Sequence, residues 1–118
     1  MATSPFPLPQ LNLHVDRAPY QSTIQCNGRI TSDTVELLKT TAKPLFSASN
    51  IVILDLTNVS YMDSSGLGAI VALYVSAKAA HSQLKLVNLN QRLKELFSIT
   101  RLGEVLTGGR DPAEPGLP

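Results

Sequence analysis

Residues 51–68 have the sequence IVILDLTNVSYMDSSGLG, and this stretch determines the fold that we predict. Its beginning, Ile51 to Leu56, is a nearly continuous apolar run rich in β-branched residues, which is typical of a central strand buried on both faces. A loop is expected to follow, and Asp63 with the two serines after it is a favourable start for a helix. The stretch therefore predicts a strand, a loop and a helix, with Ser64 at the helix N-terminus.

Patterns on both sides predict the other elements. Apolar and polar residues alternate over 11–15, 20–26 and 83–89, which favours strands, and the first two strands are close enough to pair antiparallel. Apolar residues spaced by three and four predict one helix between Val35 and Phe46 and another between Leu67 and Ala77, and Asn90 is expected to cap a third.

The start and the interior of the first helix contain two further signals. Asp33 and Glu36 fit a capping box, and Pro44 is expected to kink or end the helix. The predicted order is β-β-α-β-α-β-α, which indicates an α/β fold with a mixed, mostly parallel sheet of four to five strands flanked by helices. One domain is expected over 11–106, between a flexible N-terminal arm at 1–10 and a flexible C-terminal tail at 107–118.

Composition excludes several classes of function. Hydrophobic residues make up 43% of the chain, enough for one aliphatic core, and ten basic against nine acidic residues leave no basic stripe for nucleic acid. The densest apolar stretch, Gly66 to Val75, is too short to insert in a membrane, and no signal peptide is apparent, so we expect a cytoplasmic protein. One cysteine and two distant histidines assemble no metal site, and no cofactor is expected.

The run from Leu54 to Gly68, with D-S-S-G-L-G at a helix start, resembles the signature of the STAS-domain family, especially its bacterial anti-sigma factor antagonists. The likeness extends from about residue 11 to about residue 106. It includes the Gly28-Arg29-Ile30 turn and the stretch between Leu86 and Gly103 that contains LVNLN and RLKELF.

The resemblance implies the STAS fold and a protein-binding switch rather than an enzyme. In that family the unphosphorylated antagonist binds an anti-sigma factor that is also an ATP-dependent serine kinase of the GHKL type, and the sigma factor is freed. The kinase phosphorylates the first serine of D-S-S-G, which separates the complex, and a PP2C-type phosphatase restores the serine. On this sequence the acceptor is Ser64, with Ser65 as the backup.

The physical chemistry of a helix N-terminus agrees with that role. Phosphorylation adds about −1.5 to −2 charges, which the N-terminus tolerates but a docked interface does not. The expected partner-binding residues surround Ser64: Thr31, Asp33, Asp63, Ser65, Gly66, Leu67 and Gly68. The two glycines either let a partner backbone approach or serve only close helix packing. Without a role in phosphorylation, Asp63 or Ser64 would simply cap the helix.

Two positions depart from the family pattern. Antagonists usually have G-x-hydrophobic-Asp before the first helix, whereas this chain has Thr31 in the place of the aspartate and Arg29 in the place of a common acidic residue. The change puts the efficiency of phosphorylation in question, although Asp33 lies nearby. It also favours an alternative within the same fold, a STAS partner module of a stress-signalling scaffold or of a lipid-transport ABC ATPase.

A catalytic serine is the other alternative. A hydrolytic triad needs a histidine within hydrogen-bond reach of the nucleophile. His81 follows Ser64 by 17 residues on the same predicted helix, about 25 Å at roughly 1.5 Å per residue, and neither a nucleophile elbow nor a P-loop is present. We therefore expect no enzyme activity.

Overall fold

The computed structural model of the chain describes residues 10–100. The strands are β1 (Leu11–Arg17), β2 (Gln21–Ile30), β3 (Ile51–Met62) and β4 (Gln83–Val87), and the helices are α1 (Val35–Ala48), α2 (Ser64–Ala79) and α3 (Gln91–Thr100). The predicted order of elements is confirmed. The two segments expected to be flexible lie almost wholly outside the described residues, so they and the domain boundaries remain predictions.

The four strands form one sheet in the order β1-β2-β3-β4. β1 pairs antiparallel with β2, whereas β2, β3 and β4 are parallel to one another. The mixed, mostly parallel sheet is therefore confirmed at four strands within the described residues.

One face of the sheet forms the core. Ile24, Leu54 and Leu86 are register partners across β2, β3 and β4, and all three are buried. Buried residues of all three helices, including Leu38 of α1 and Ile70 of α2, belong to the same cluster. Successive parallel strands are added in one direction, so their connecting helices fall on the same side of the sheet.

The prediction that β3 is buried on both faces is wrong. Val52, Leu54 and Leu56 are fully buried, whereas the alternating residues Ile51 and Ile53 are only half-buried because they lie on the side away from the helices. A β-branched apolar run does not distinguish a strand covered on both faces from one covered on a single face.

The expected loop after Leu56 is also wrong, because β3 continues to Met62. The pairing of β2 with β3 shifts register between Gln25 and Asn27 and again between Gly28 and Arg29, and each shift places one extra residue on β3. The end of β2 still pairs with β3 after both shifts. Bulges of this kind break the alternation that predicts a strand. The extension brings the end of β3 directly to the start of α2.

The capping prediction for α1 is wrong, and of the two effects expected of Pro44 the ending of the helix does not occur. Thr34, rather than Asp33, is the N-cap residue, and its side chain makes no capping bond to its own helix, so the Asp33–Glu36 capping box is absent. Pro44 lies inside the helix and does not end it. Leu45 and Phe46 are buried directly after the proline, and their packing stabilises the last turn.

Asn90 caps α3 as predicted, since its side-chain oxygen accepts a hydrogen bond of 2.9 Å from the Leu93 N–H. Leu93 and Phe97 are buried, as the spacing indicates. No helix found within residues 10–100 combines the length and the hydropathy needed to cross a membrane.

Candidate functional site

The site lies where β3 ends and α2 begins, and a single residue, Asp63, separates the two elements. The Asp63 N–H donates to the carbonyl oxygen of Ile30 at 3.3 Å, so the junction is attached to the last residue of β2. The carboxyl ends of two parallel strands therefore determine where α2 starts.

Asp63 is the N-cap of α2, as predicted. Its backbone is extended, and its Oδ1 atom accepts a hydrogen bond of 2.9 Å from the Gly66 N–H. A carboxylate there satisfies one of the unpaired N–H groups and interacts favourably with the positive end of the helix dipole. Its other oxygen, Oδ2, accepts from the Ser32 N–H at 3.4 Å, which links the helix start to the turn between β2 and α1.

Ser64 and Ser65 are both exposed in the first turn of α2. Neither hydroxyl forms a hydrogen bond with the part of the chain that the structure describes. The Ser64 oxygen is therefore accessible to an approaching protein, while the Asp63 cap orders the backbone immediately before it.

The two glycines of the helix start differ. A Cβ atom at Gly66 would lie 2.3 Å from the carbonyl oxygen of Ile30 and 2.7 Å from Cγ of Met62, whereas one at Gly68 would meet nothing within 4 Å. Gly66 is buried, and its lack of a side chain permits the close packing that was one of its two expected roles, whereas its contact with a partner stays a prediction. Gly68 is exposed, and Leu67 is half-buried against the core.

Thr31 also differs from its expected role, because it is only 6% exposed. Its hydroxyl is buried and has no hydrogen-bond partner among residues 10–100. Thr31 therefore cannot present its side chain to a partner as an exposed aspartate would. Asp33 is exposed and remains available at the same turn.

Two residues near the site, Thr34 and Tyr61, were missed by the sequence analysis. The Thr34 hydroxyl accepts from the Thr31 N–H at 2.9 Å and donates to the Arg29 carbonyl at 2.8 Å, and so fixes the turn that contains Ser32. Tyr61, which was expected in a loop, is 38% exposed on β3, and the Arg29 guanidinium lies 5.0 Å from its ring centre. The contact between Arg29 and Tyr61 joins residues 32 positions apart, which no local sequence pattern associates.

The histidines lie away from the serines. His81 comes just after the C-terminal end of α2, opposite the end that bears Ser64, and His14 is exposed on β1. The described residues contain no group of three or more His, Cys, Asp or Glu side chains that could hold a metal ion.

Asp55 connects β3 with the segment after β4. The hydrogen bond from the Thr57 hydroxyl, together with those from the Thr57 N–H and the Asn88 amide, holds the pKa of Asp55 below its ordinary value despite partial burial. Burial, with a smaller contribution from the Asp55 charge, raises the pKa of the neighbouring Cys26 thiol to about 12. Asp55 is thus an ionised structural link, and Cys26 is a protonated core residue.

Comparison with known proteins agrees with this arrangement. The family model described as STAS domain matches residues 13–114. The anti-sigma-B factor antagonist of Bacillus subtilis (strain 168) is 36% identical over 98 residues, which cover 81% of this chain and 90% of that protein.

Two solved structures show the same fold. The anti-sigma factor antagonist SpoIIAA in its unphosphorylated form matches with a TM-score of 0.71 at 18% identity, over 86% of this chain and 90% of that one. The Bacillus cell fate determinant SpoIIAA in its phosphorylated form matches with a TM-score of 0.66 at 18% identity, over 86% of this chain and 94% of that one. With a family model that spans most of the sequence, the chain belongs to the STAS domain family.

Proposed function

We propose that this chain is an anti-sigma factor antagonist that binds an anti-sigma factor with serine kinase activity and is released when that kinase phosphorylates Ser64. The observation that carries the proposal is the exposed Ser64 side chain directly after the Asp63 cap. The Bacillus subtilis relative bears the name of an anti-sigma factor antagonist, and SpoIIAA is described in both phosphorylated and unphosphorylated forms.

The switch acts through local charge. A phosphate on Ser64 would stand at the positive end of the α2 dipole, where an anion is stabilised by about 0.3–1 kcal/mol, so the fold survives the modification. In the complex the same phosphate would be enclosed by the partner, close to the Asp63 carboxylate, and would have to lose its hydration. Phosphorylation therefore weakens binding without unfolding the domain, and a PP2C-type phosphatase in the cytoplasm reverses it.

The test uses the wild type, Ser64→Ala and Ser65→Ala with the anti-sigma factor kinase of the same organism and ATP. Mass spectrometry should find one phosphate on the wild type and on Ser65→Ala, and none on Ser64→Ala. Because Ser65 is equally exposed and adjacent, it is the matched control. Phosphate on Ser65 alone would transfer the proposed switch to that residue and refute the role of Ser64.

Binding gives the second readout. Ser64→Ala should bind the kinase like the wild type, and Ser64→Asp should bind at least about tenfold more weakly, corresponding to about 1.4 kcal/mol. Thermal melting should show both variants folded. Equal affinity of Ser64→Asp and the wild type would contradict a switch based on charge.

A second candidate function is favoured by Thr31, which is buried and has no carboxylate where the family pattern has an aspartate. In that case the chain is a STAS partner module of a stress-signalling scaffold or of a lipid-transport ABC ATPase. Such a module would bind its partner without transfer of phosphate to Ser64 or Ser65, so the same mass measurement separates the two candidates.

A further inference from the structure

A positively charged side chain is held in place beside the candidate site. Arg29 is exposed near the end of β2, and its register partner on β3 is Tyr61. The guanidinium carbon lies 5.0 Å from the centre of the Tyr61 ring, a distance at which a cation is attracted to the face of an aromatic ring. We name these two residues the Arg29–Tyr61 pair.

The backbone of Arg29 is fixed on both sides. Its N–H donates to the Gln10 carbonyl at 2.7 Å, and its own carbonyl accepts from the Thr34 hydroxyl at 2.8 Å. A register irregularity lies directly before Arg29, after Gly28, whose φ of +126° suits glycine. The side chain therefore projects from an ordered position in the sheet.

The charge of Arg29 is not used inside the described part of the domain, where no carboxylate forms an ion pair with it. A guanidinium that rests on an aromatic ring and forms no ion pair within residues 10–100 loses little conformational freedom when it meets an anion from outside. Exposed Arg and Tyr are also residue types enriched among those that dominate protein interfaces.

The Arg29–Tyr61 pair adjoins the start of α2. The residues that follow its two members, Ile30 and Met62, are themselves register partners and provide the atoms against which Gly66 packs. Successive strand residues point to opposite faces of a sheet, so Arg29 and Tyr61 project from the face opposite to the buried Ile30 and Met62, at the same end of the sheet as Ser64. A protein that covers Ser64 and this end of the sheet would therefore reach Arg29.

We propose that the Arg29–Tyr61 pair is a docking surface for an Asp or Glu side chain of the partner protein. The inference rests on the proposed function, because it takes the partner to be the anti-sigma factor kinase. The carboxylate would accept parallel hydrogen bonds from the guanidinium, a geometry that lysine does not reproduce. Arg29 thereby selects partners that have an acidic group at this edge of the interface.

The experiment is a calorimetric titration of the unphosphorylated chain with the anti-sigma factor kinase of the same organism. Arg29→Gln should weaken binding about tenfold, and Arg29→Glu about 100-fold, since reversal adds repulsion to the loss of the pair. Arg29→Lys should recover only part of the affinity. Tyr61→Phe should bind like the wild type because it keeps the ring, whereas Tyr61→Ala should bind several-fold more weakly.

Arg17 provides the matched control. It is an exposed arginine at the opposite end of the sheet, where it pairs with Ser22 at the start of β2. Arg17→Gln changes the net charge by the same amount and should leave the affinity unchanged. The wild type should lose more affinity than Arg29→Gln when salt is raised, because screening weakens exposed charge pairs.

The outcomes separate the two proposals. If Arg29→Gln and Arg29→Glu bind like the wild type while Ser64 is still phosphorylated, the docking surface is refuted and the proposed function stands. The docking surface is also refuted if the Arg29 variants change only the affinity of the phosphorylated chain for the kinase, because Arg29 then pairs with the phosphate on Ser64. If the wild type neither binds the kinase nor accepts phosphate, the proposed function fails and this inference fails with it.

Discussion

The first turn of α2 approaches β2 so closely that a methyl group on Gly66 would stand 2.3 Å from the carbonyl oxygen of Ile30. Ile30 is the last residue of β2, and its carbonyl also accepts the Asp63 N–H, so both groups belong to the junction that presents Ser64. The position of α2 over the sheet therefore depends on the absence of a side chain at Gly66.

Gly66→Ala is expected to destabilise the domain. The new methyl group would collide with backbone, which cannot rotate away, and overpacking of this kind costs about 1–3 kcal/mol, more than the roughly 1 kcal/mol that alanine contributes over glycine in a helix. Urea denaturation would measure the change. Gly68→Ala is the control, because its methyl group would meet nothing within 4 Å and should stabilise the helix by about 0.5–1 kcal/mol. A stabilised Gly66→Ala would show that the close approach does not constrain the helix.

Asp63→Ala is expected to lower the free energy of unfolding by about 0.5–2 kcal/mol, because the Gly66 N–H loses its acceptor. Asp63→Asn should retain most of the stability, since asparagine caps helices about as well as aspartate. Thermal melts of both variants would check the difference. An equal loss in the two variants would indicate that the charge of Asp63, rather than its capping geometry, stabilises the helix start.

The features of the site that could be predicted from the sequence depend only on residues that are close together in the chain. The Asp63 cap and the exposure of Ser64 follow from side-chain geometry at a helix start, and the Asn90 cap follows the same rule. The hydrogen bond from the Ser32 N–H to the Asp63 carboxylate joins residues 31 positions apart. The sequence around Ser32 and the sequence around Asp63 give no indication of it. Contacts of this kind depend on how β2 is aligned with β3.

The errors of the sequence analysis have the same origin. Thr31 and Gly66 were both among the expected partner-binding residues, but the junction of β2, β3 and α2 buries both. The length of β3 was underestimated because β3 has one extra residue at each of two register shifts against β2, and these residues interrupt its alternation. Alternation detects a regular strand, whereas bulged pairing becomes visible only once the neighbouring strand is in place.

The contribution of Asp55 to stability should depend on pH. Its pKa in the folded chain is lowered, so its ionised form is the one that folding favours. That contribution is complete above the ordinary pKa of about 3.9 and is lost as the pH falls through the lower folded value. Urea denaturation of wild type and Asp55→Asn should show a constant difference, smaller than about 1 kcal/mol, between pH 5 and 7, because the group is partly solvated.

Below about pH 4 the difference between wild type and Asp55→Asn should begin to shrink, and it should level off once the pH lies below the lowered folded pKa of Asp55, where both side chains are neutral. Comparison of the two proteins at each pH cancels the titration of the other carboxylates, provided that they do not interact with Asp55. A difference that grows as the pH falls would mean that the folded chain raises, rather than lowers, the pKa of Asp55.

Cys26 should be unreactive in the folded protein. The thiolate is the nucleophilic form, and burial raises the thiol pKa to about 12, so almost none is ionised at neutral pH. The side chain is also only 1% exposed, which blocks the approach of a reagent. Labelling with iodoacetamide should therefore be slow in buffer and should accelerate in urea along the unfolding transition.

The double variant Cys26→Ala with Ser47→Cys is the control, because it places a thiol at an exposed position of α1. It should react in buffer at the rate of a free thiol. Rapid labelling of wild-type Cys26 under native conditions would imply that the sheet opens locally at β2 without global unfolding, because no other route exposes this sulfur.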